Sequence, residues 1–557
     1  MSQNQGWTIF KPQLRLSLEL LLMIAIALGV LLRIIHLSSR ELWYDEVLSL
    51  LLSTSHKLAY QTPDGDKPVV LAQYTALLNL PVESGINSVI TTLRNLLHGL
   101  LGGEPHPPLF FLSQHLWLRF FGNTEAAMRS LNALFSIAAI GSGYCLGRVV
   151  LGHQGGLLLS ALLAVNPFYL FQSLNVRMYA PLVFWGILSA WSLLNLIFNS
   201  HKSKLLWNIL LIISIASGLL TFYLYVYWVI TLAVLVIYLE RKNWLQHSLR
   251  LGAGVLLTLP WGVWGTLKQL RNADLQRFGE AKQQGAAWLI HLQDVVNNLG
   301  IHLVLGDWIT SLPPISSVIA GCVISLLLVV LSINLWQNGE QQNLGVGLIL
   351  GIFPLLLALV IDIITKKFTL GFGWGRTMIM ILPGCLLLLA LGLEKGIPVQ
   401  WRTITVTGLL LLYLTIGIGD YSLRQRSMFH TIADIIAQEP NTPTLITMNS
   451  QAWGHVMRLA YYIPPAFPVN LLAEKPATLG KSLEKLLKNE AETYTRIIWL
   501  DSDDPVWSRL KTEAEKSAAN QQVQAALNSR YKLINNQELS GTMTSDSFSI
   551  KLYKSSV

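Results

Sequence analysis

Residues 16–37, LSLELLLMIAIALGVLLRIIHL, run straight into SSRELWYDE at residues 38–46, and the reading of this junction decides the architecture. The first stretch is long enough for the ~20 predominantly apolar residues that cross a bilayer. It follows Lys11 and Arg15, exceeds a typical signal h-region and has no small-residue cleavage site, so it predicts a retained helix with a cytoplasmic N-terminus. Whatever follows Leu37 then lies outside. The whole composition agrees: of 557 residues, 52% are hydrophobic and only 13% charged, against roughly 25% charged in a soluble domain. A single water-soluble globule is excluded.

Further apolar runs span about 107–121, 130–150, 155–172, 179–198, 205–240, 249–266, 315–336, 344–363, 377–394 and 403–419. The 205–240 run is long enough for two short passes, which predicts about twelve or thirteen transmembrane helices. Charge density rises from about 10% over residues 1–419 to about 21% over 420–557, dividing a membrane part from a soluble C-terminal α/β domain. The tail holds 15 Lys/Arg against 14 Asp/Glu, leaving the excess of the +9 net charge on the membrane part. There it suits cytoplasmic loops and headgroups. No basic cluster interleaved with aromatics calls for nucleic acid.

His201-Lys202-Ser203-Lys204, Glu240-Arg241-Lys242 and Trp401-Arg402 mark cytoplasmic turns. Counting from them puts a second outer loop at 267–314, residues 364–376, Asn175–Tyr179 and the tail outside. Counting forward from the N-terminus through 107–121 and 130–150 disagrees by one crossing, so the region 38–150 contains an extra, missing or re-entrant segment. The large first outer loop, 38–105, includes an amphipathic stretch at Ile86–Leu101. The tail shows helical patterns at Ser427–Gln438 and Leu479–Glu490, and strand-like runs at Thr444–Met448, Arg496–Leu500, Tyr531–Ile534 and Phe548–Tyr553. It has no Gly-rich phosphate loop, metal-ligand spacing or nucleophile elbow. Cys145, Cys322 and Cys385 all sit in apolar runs and predict no disulfide framework.

Four clusters stand where runs meet loops. Trp43-Tyr44-Asp45-Glu46 sets two carboxylates beside two aromatics at the outer interface, where desolvation favours a general base; the alternative is an aromatic belt with solvated acids. Glu104-Pro105-His106-Pro107-Pro108 either fixes His106 at a helix start, where it can donate to an anionic ligand at the free N-terminus, or is only a rigid helix entry. Asn175-Val176-Arg177-Met178-Tyr179 places an arginine at a helix end, where it either pairs with an anion or snorkels. Lys366-Lys367 and Gly371-Phe372-Gly373-Trp374-Gly375-Arg376 combine a pliant backbone with a guanidinium able to clamp a phosphate, or form only an interfacial turn. Tyr223, Tyr225, Tyr227 and Trp228 read as an interfacial belt or a sugar-stacking wall, and Asp362 as neutralising the lysine pair.

In their order and spacing these motifs resemble the polytopic GT-C glycosyltransferases of the protein-mannosyltransferase-like group, which includes bacterial aminoarabinose transferases, over about residues 15–420. The resemblance implies transfer of a sugar from a polyprenyl-phosphate donor to a lipid, glycan or protein acceptor at the outer face of the membrane. It implies Asp45 as catalytic base, supported by Glu46, and Arg177, Arg376, His106, Lys366 and Lys367 around the donor phosphate. Trp43, Tyr44, Tyr179 and Trp374 would line the substrate site. Members differ in metal dependence, and Asp45 is the residue that would hold a divalent ion. Direct displacement by one base predicts inversion, by analogy with hydrolases. The long first loop, the absence of a second acid beside Arg177 and a tail unlike sugar-binding repeats leave the acceptor open. The rivals are a lipid or polysaccharide transporter, which expects repeat symmetry and broken helices, and a non-catalytic membrane scaffold, which expects Asp45 to be freely replaceable.

Overall fold

The computed structural model describes residues 17–557 except 64, 66, 199–203, 273–286, 424–426, 491–492, 507, 542–545 and 556–557. Lys11, Arg15, Leu16 and the cluster His201-Lys202-Ser203 lie outside the described residues. The molecule is a polytopic helical membrane protein carrying a mixed sheet at one end. Seven of the described helices are long and apolar enough to cross a membrane, or up to eight if the bent pair Gln341–Gly351 and Phe353–Thr365 counts as one span. Other apolar runs end in shorter helices, such as Tyr225–Leu239.

The first span, Leu18–Ile35, is capped by Ser17, whose Oγ accepts the Leu20 N–H at 3.2 Å. Near its end Arg33 is fully buried, donating to the Ala164 carbonyl at 2.6 Å and the Ser136 hydroxyl at 2.7 Å. A buried membrane arginine is tolerated when backbone carbonyls take its N–H groups, and Ala164 stands just before the break at Asn166. The helical stretch Glu125–Val165 folds back on itself at Gly152, where φ is +84°. Ser160 Oγ reaches the Ile140 carbonyl at 2.9 Å, and a Cβ added at Gly147 would stand 2.8 Å from Gly156 Cα, so small residues let the two arms touch. The two apolar runs 130–150 and 155–172 are thus successive arms of one hairpin.

The run 107–121 is not among the helices long and apolar enough to cross a membrane. It forms the 13-residue helix Leu109–Phe121, and two residues beyond it the Asn123 carbonyl accepts the Tyr461 hydroxyl of the tail at 2.9 Å. Without this run, counting forward from a cytoplasmic N-terminus agrees with counting from the basic clusters.

The tail supplies five strands of a six-stranded sheet, β1 (Val69–Val70), β2 (Thr444–Met448), β3 (Val469–Ala473), β4 (Arg496–Ser502), β5 (Tyr531–Ser540) and β6 (Ser547–Ser555), in the order β1-β3-β2-β4-β6-β5. The core β3-β2-β4 is parallel, joined by the helices Trp453–Tyr462 and Pro476–Glu490, and the outer strands are antiparallel. Side chains alternate between faces with the period of two expected of strands. Ile446, Leu471, Ile498 and Ile550 join the core shared with the membrane part, and Leu445, Leu472, Ile497 and Trp499 pack beneath Pro476–Glu490 and Glu513–Asn528. Residues 420–557 do not form this sheet alone, since the edge strand β1 comes from the first outer loop.

The tail is fastened to that loop. Tyr462 accepts the Leu42 N–H at 2.6 Å and donates to Glu125, Glu41 accepts the His430 N–H at 2.7 Å, and Thr75 donates to the Ala460 carbonyl at 2.8 Å. In the same helix His455 is buried, edge-on to Tyr44 at 5.7 Å and to Phe548 at 5.1 Å. Burial, with Arg458 adding to it, pushes its pKa down to about 3. The folded imidazole stays neutral while the unfolded one protonates near 6.5, so its contribution is complete above pH 6.5 and falls by about 1.4 kcal/mol per pH unit between there and about 3. Thermal unfolding of wild type and His455→Gln between pH 7.5 and 5 should show the steeper loss in wild type.

Candidate functional site

The site starts from one buried ion pair. Glu46, in the helix Tyr44–Ser53, has 0% exposure, and Arg129 donates to its two oxygens from Nε and Nη2 at 2.8 Å each. The other Glu46 bonds come from the backbone N–H groups of Trp43 (3.1 Å) and Val176 (3.0 Å). The remaining Arg129 donors hold the carbonyls of Leu37, Arg40 and Glu41 at 2.8–3.1 Å. Burial pushes the Glu46 carboxyl up, but the Arg129 guanidinium outweighs it and holds the group below its ordinary value. Glu46 therefore has no spare lone pair directed at a substrate. It staples the first outer loop to the hairpin and to the turn before Arg177.

Asp45, one position earlier, points the other way and is 28% exposed. Its Oδ2 lies 3.9 Å from Arg177 Nε and 3.5 Å from Arg376 Nη1. Arg177 is held by Asn132, which donates to its carbonyl at 2.9 Å, and donates to Ser49 Oγ at 3.2 Å. Burial pulls the Arg177 pKa down, and the Asp45 carboxylate more than offsets it, so the guanidinium is more firmly charged than usual. Arg376 comes from a tight turn in which Gly373, Trp374 and Gly375 all have positive φ, +67°, +56° and +79°. Glycine adopts such angles freely and tryptophan does not. Arg376 Nε donates to the Gly373 carbonyl at 2.7 Å, and its guanidinium lies 5.1 Å from the centre of the buried Trp43 ring. Asp362 secures the turn by accepting the Leu370 N–H at 2.9 Å and the Thr369 hydroxyl at 2.5 Å. It is a backbone clamp, not a counter-ion for the lysine pair.

His106 closes the wall, paired through Nδ1 with Glu104 and stacked on Phe222 at 5.6 Å. Gln269 holds this corner by donating to the carbonyls of Leu100, Glu104 and His106 at 2.8–3.1 Å while accepting from Tyr223. Asp45, Pro105, His106 and Arg177 form the wall common to two cavities. A mostly apolar one of about 480 Å³ is lined also by Tyr179, Tyr223, Lys367, Phe372 and Arg376. A more polar one of about 610 Å³ opens between Tyr44 and the first outer loop on one side and the tail on the other.

Besides Glu46, three expected site residues border neither cavity, and the first of them, Trp43, is buried beneath the Arg376 guanidinium. Lys366 ends its helix in a left-handed conformation (φ +56°), is exposed and does not border either cavity, because the turn that brings Lys367 inward sends its neighbour out. Trp374 is 48% exposed and also off the cavity walls, its inverted backbone directing the ring away. Tyr225 and Trp228 are buried against Ser189 on the helix Tyr179–Phe198 and form neither belt nor sugar wall. Arg129 and Gln269 are the supports that sequence reasoning missed; an arginine inside a long apolar run was the available signal for the first. The donor set around Asp45 does not suit a protein-held divalent ion, since its neighbours are two guanidiniums and a histidine already paired with Glu104. Among the described residues no three His, Cys, Asp or Glu side chains converge on a metal-sized site.

Residues 105–264 match the family described as dolichyl-phosphate-mannose-protein mannosyltransferase. No curated protein sequence matches significantly. Among solved structures the chain is similar to ArnT from Cupriavidus metallidurans bound to undecaprenyl phosphate, at 13% identity over 95% of this chain and 98% of that one, with a TM-score of 0.49. It is similar also to the archaeal oligosaccharyltransferase AglB from Archaeoglobus fulgidus in complex with an inhibitory peptide and a dolichol-phosphate, at 11% identity over 95% and 73% of the two chains, with a TM-score of 0.47. The family match covers His106 and Arg177 but not Asp45 or Arg376.

Proposed function

We propose that this chain is a membrane glycosyltransferase that moves a sugar from a polyprenyl-phosphate donor to a lipid, glycan or protein acceptor at the outer face of the membrane. The N-terminus is then cytoplasmic, and the site and the tail, residues 420–557, are extracytoplasmic. The observation that carries this reading is the position of Asp45, a partly exposed carboxylate in the wall between an apolar cavity rich in cations and a polar one. The donor's prenyl chain and phosphate suit the first, the acceptor the second.

In the reaction, the acceptor hydroxyl oxygen bonds to the anomeric carbon as its proton passes to Asp45. The bond from that carbon to the phosphate oxygen breaks, and its electron pair leaves on the polyprenyl phosphate. Arg177 and Arg376, with Lys367 and His106, meet the growing charge. One displacement inverts the anomeric centre. The Asp45 contacts at 3.5 and 3.9 Å are longer than the ~2.7–2.9 Å of strong charge-assisted hydrogen bonds. A donor phosphate can therefore take over both guanidiniums and leave the carboxylate lone pairs to the hydroxyl.

The test is release of free polyprenyl phosphate from labelled polyprenyl-phosphate sugars by purified protein in lipid, with a mixed acceptor extract. Release supports the reading, and no release from any donor by folded protein overturns it. Arg376→Ala should raise the donor KM by roughly ten- to a hundredfold, the loss of a charged hydrogen-bond pair, with a smaller change in kcat. Arg376→Lys should recover only part of it, since lysine cannot bind bidentately.

A further inference from the structure

The polar cavity has a composite wall. Lys57 and Tyr60 come from the first outer loop, and Gln451, Trp453, Lys475 and Ser508 from the tail. The Trp453 ring stands 6.0 Å from that of Tyr60, and the Lys57 ammonium lies 4.1 Å from the Trp453 centroid. Gln451 is fixed by donating to the carbonyls of Pro63 at 3.0 Å and Ala473 at 3.4 Å, which holds the Trp453 backbone against the loop. Of the cavity's acids Glu104 is paired with His106, and Asp45 stands in the wall shared with the donor cavity. Among the described residues neither the Lys57 nor the Lys475 ammonium forms a salt bridge, and the Glu474 carboxylate beside Lys475 accepts only its backbone N–H.

From this we infer that the tail completes an acceptor subsite for an acidic glycan. Flat aromatic faces take the apolar face of a sugar ring, and the two ammoniums take a uronate carboxylate or a sugar phosphate. A hydroxyl of the same molecule then reaches Asp45 across the cavity. An extended peptide is a poorer fit, since peptides are commonly read by strand addition and the sheet edge on this side is only the two residues of β1. This inference rests on the transferase reading, because it assigns the second cavity to the acceptor.

The experiment is equilibrium binding of trigalacturonate, its methyl ester and a Ser/Thr-containing peptide to full-length protein in lipid nanodiscs. Sugar-free polyprenyl phosphate is present, so no transfer takes place. At low ionic strength the acid form should bind about fivefold or more tightly than the ester, the scale of two exposed charge pairs. The preference should vanish in Lys57→Gln/Lys475→Gln, with polyprenyl-phosphate binding unchanged, and persist in Asp45→Asn. Equal binding of acid and ester, binding of neither, a preference surviving in the double variant, or tighter binding of the peptide overturns the inference. An intact preference in a protein that releases no polyprenyl phosphate would instead sink the transferase reading and leave the subsite standing as an acidic-glycan site.

Discussion

Asp45→Asn is expected to lower turnover by about 10²- to 10⁴-fold, the range ascribed to a positioned general base, while keeping donor affinity within a few-fold of wild type. The amide matches the carboxylate in size but cannot take a proton from an attacking hydroxyl. It also no longer competes for Arg177 and Arg376, both within 4 Å of Asp45, so the donor phosphate should bind at least as well as before. Single-turnover release of labelled polyprenyl phosphate, run beside a direct donor-binding measurement, separates the two effects. Wild-type turnover in this variant would remove Asp45 from the chemistry. Equal loss of turnover and donor affinity would instead make it a determinant of the donor site.

The neighbouring acid should behave in the opposite manner. Glu46→Gln or Arg129→Met should destabilise the protein by about 3–5 kcal/mol, the usual result of stranding one member of a buried ion pair, and both are fully buried. In the double variant Glu46→Met/Arg129→Met neither charge is left alone, so it should be more stable than either single variant. Thermal unfolding in detergent reads this difference directly. Additive losses in the double variant would show that the pair is not coupled. Unlike Asp45→Asn, a Glu46 variant that folds should retain a measurable fraction of its turnover per folded molecule.

These two predictions mark how far the sequence could be read. Asp45, His106, Arg177 and Arg376 are distant in sequence but each stands where an apolar run meets a loop, a kind of position that hydropathy marks. What hydropathy cannot do is separate Asp45 from Glu46, because both are acids in the same helix start. Their roles diverge only through Arg129, 83 residues beyond Glu46, inside another run. Lys366 and Lys367 pose the same problem, decided by one left-handed residue.

The run 107–121 was apolar enough to suggest a span, but 13 helical residues reach only about 20 Å at ~1.5 Å each, short of a ~30 Å hydrocarbon layer. In the tail, Glu513–Asn528 was missed because its sequence, rich in Ala, Gln and Asn, presents little apolar periodicity. Strand β1 was missed because two residues carry no pattern.

That two-residue strand has a consequence for how the protein is made. Val69 and Val70 emerge from the ribosome long before their partner β3 at Val469–Ala473 exists. The first outer loop must therefore wait, unpaired, through the insertion of nearly every other segment, and the polar cavity gains its far wall only when Trp453, Lys475 and Ser508 arrive. A nascent chain carries the carboxylate and both arginines without that wall, so the order of synthesis itself delays assembly of the composite cavity until the tail has folded.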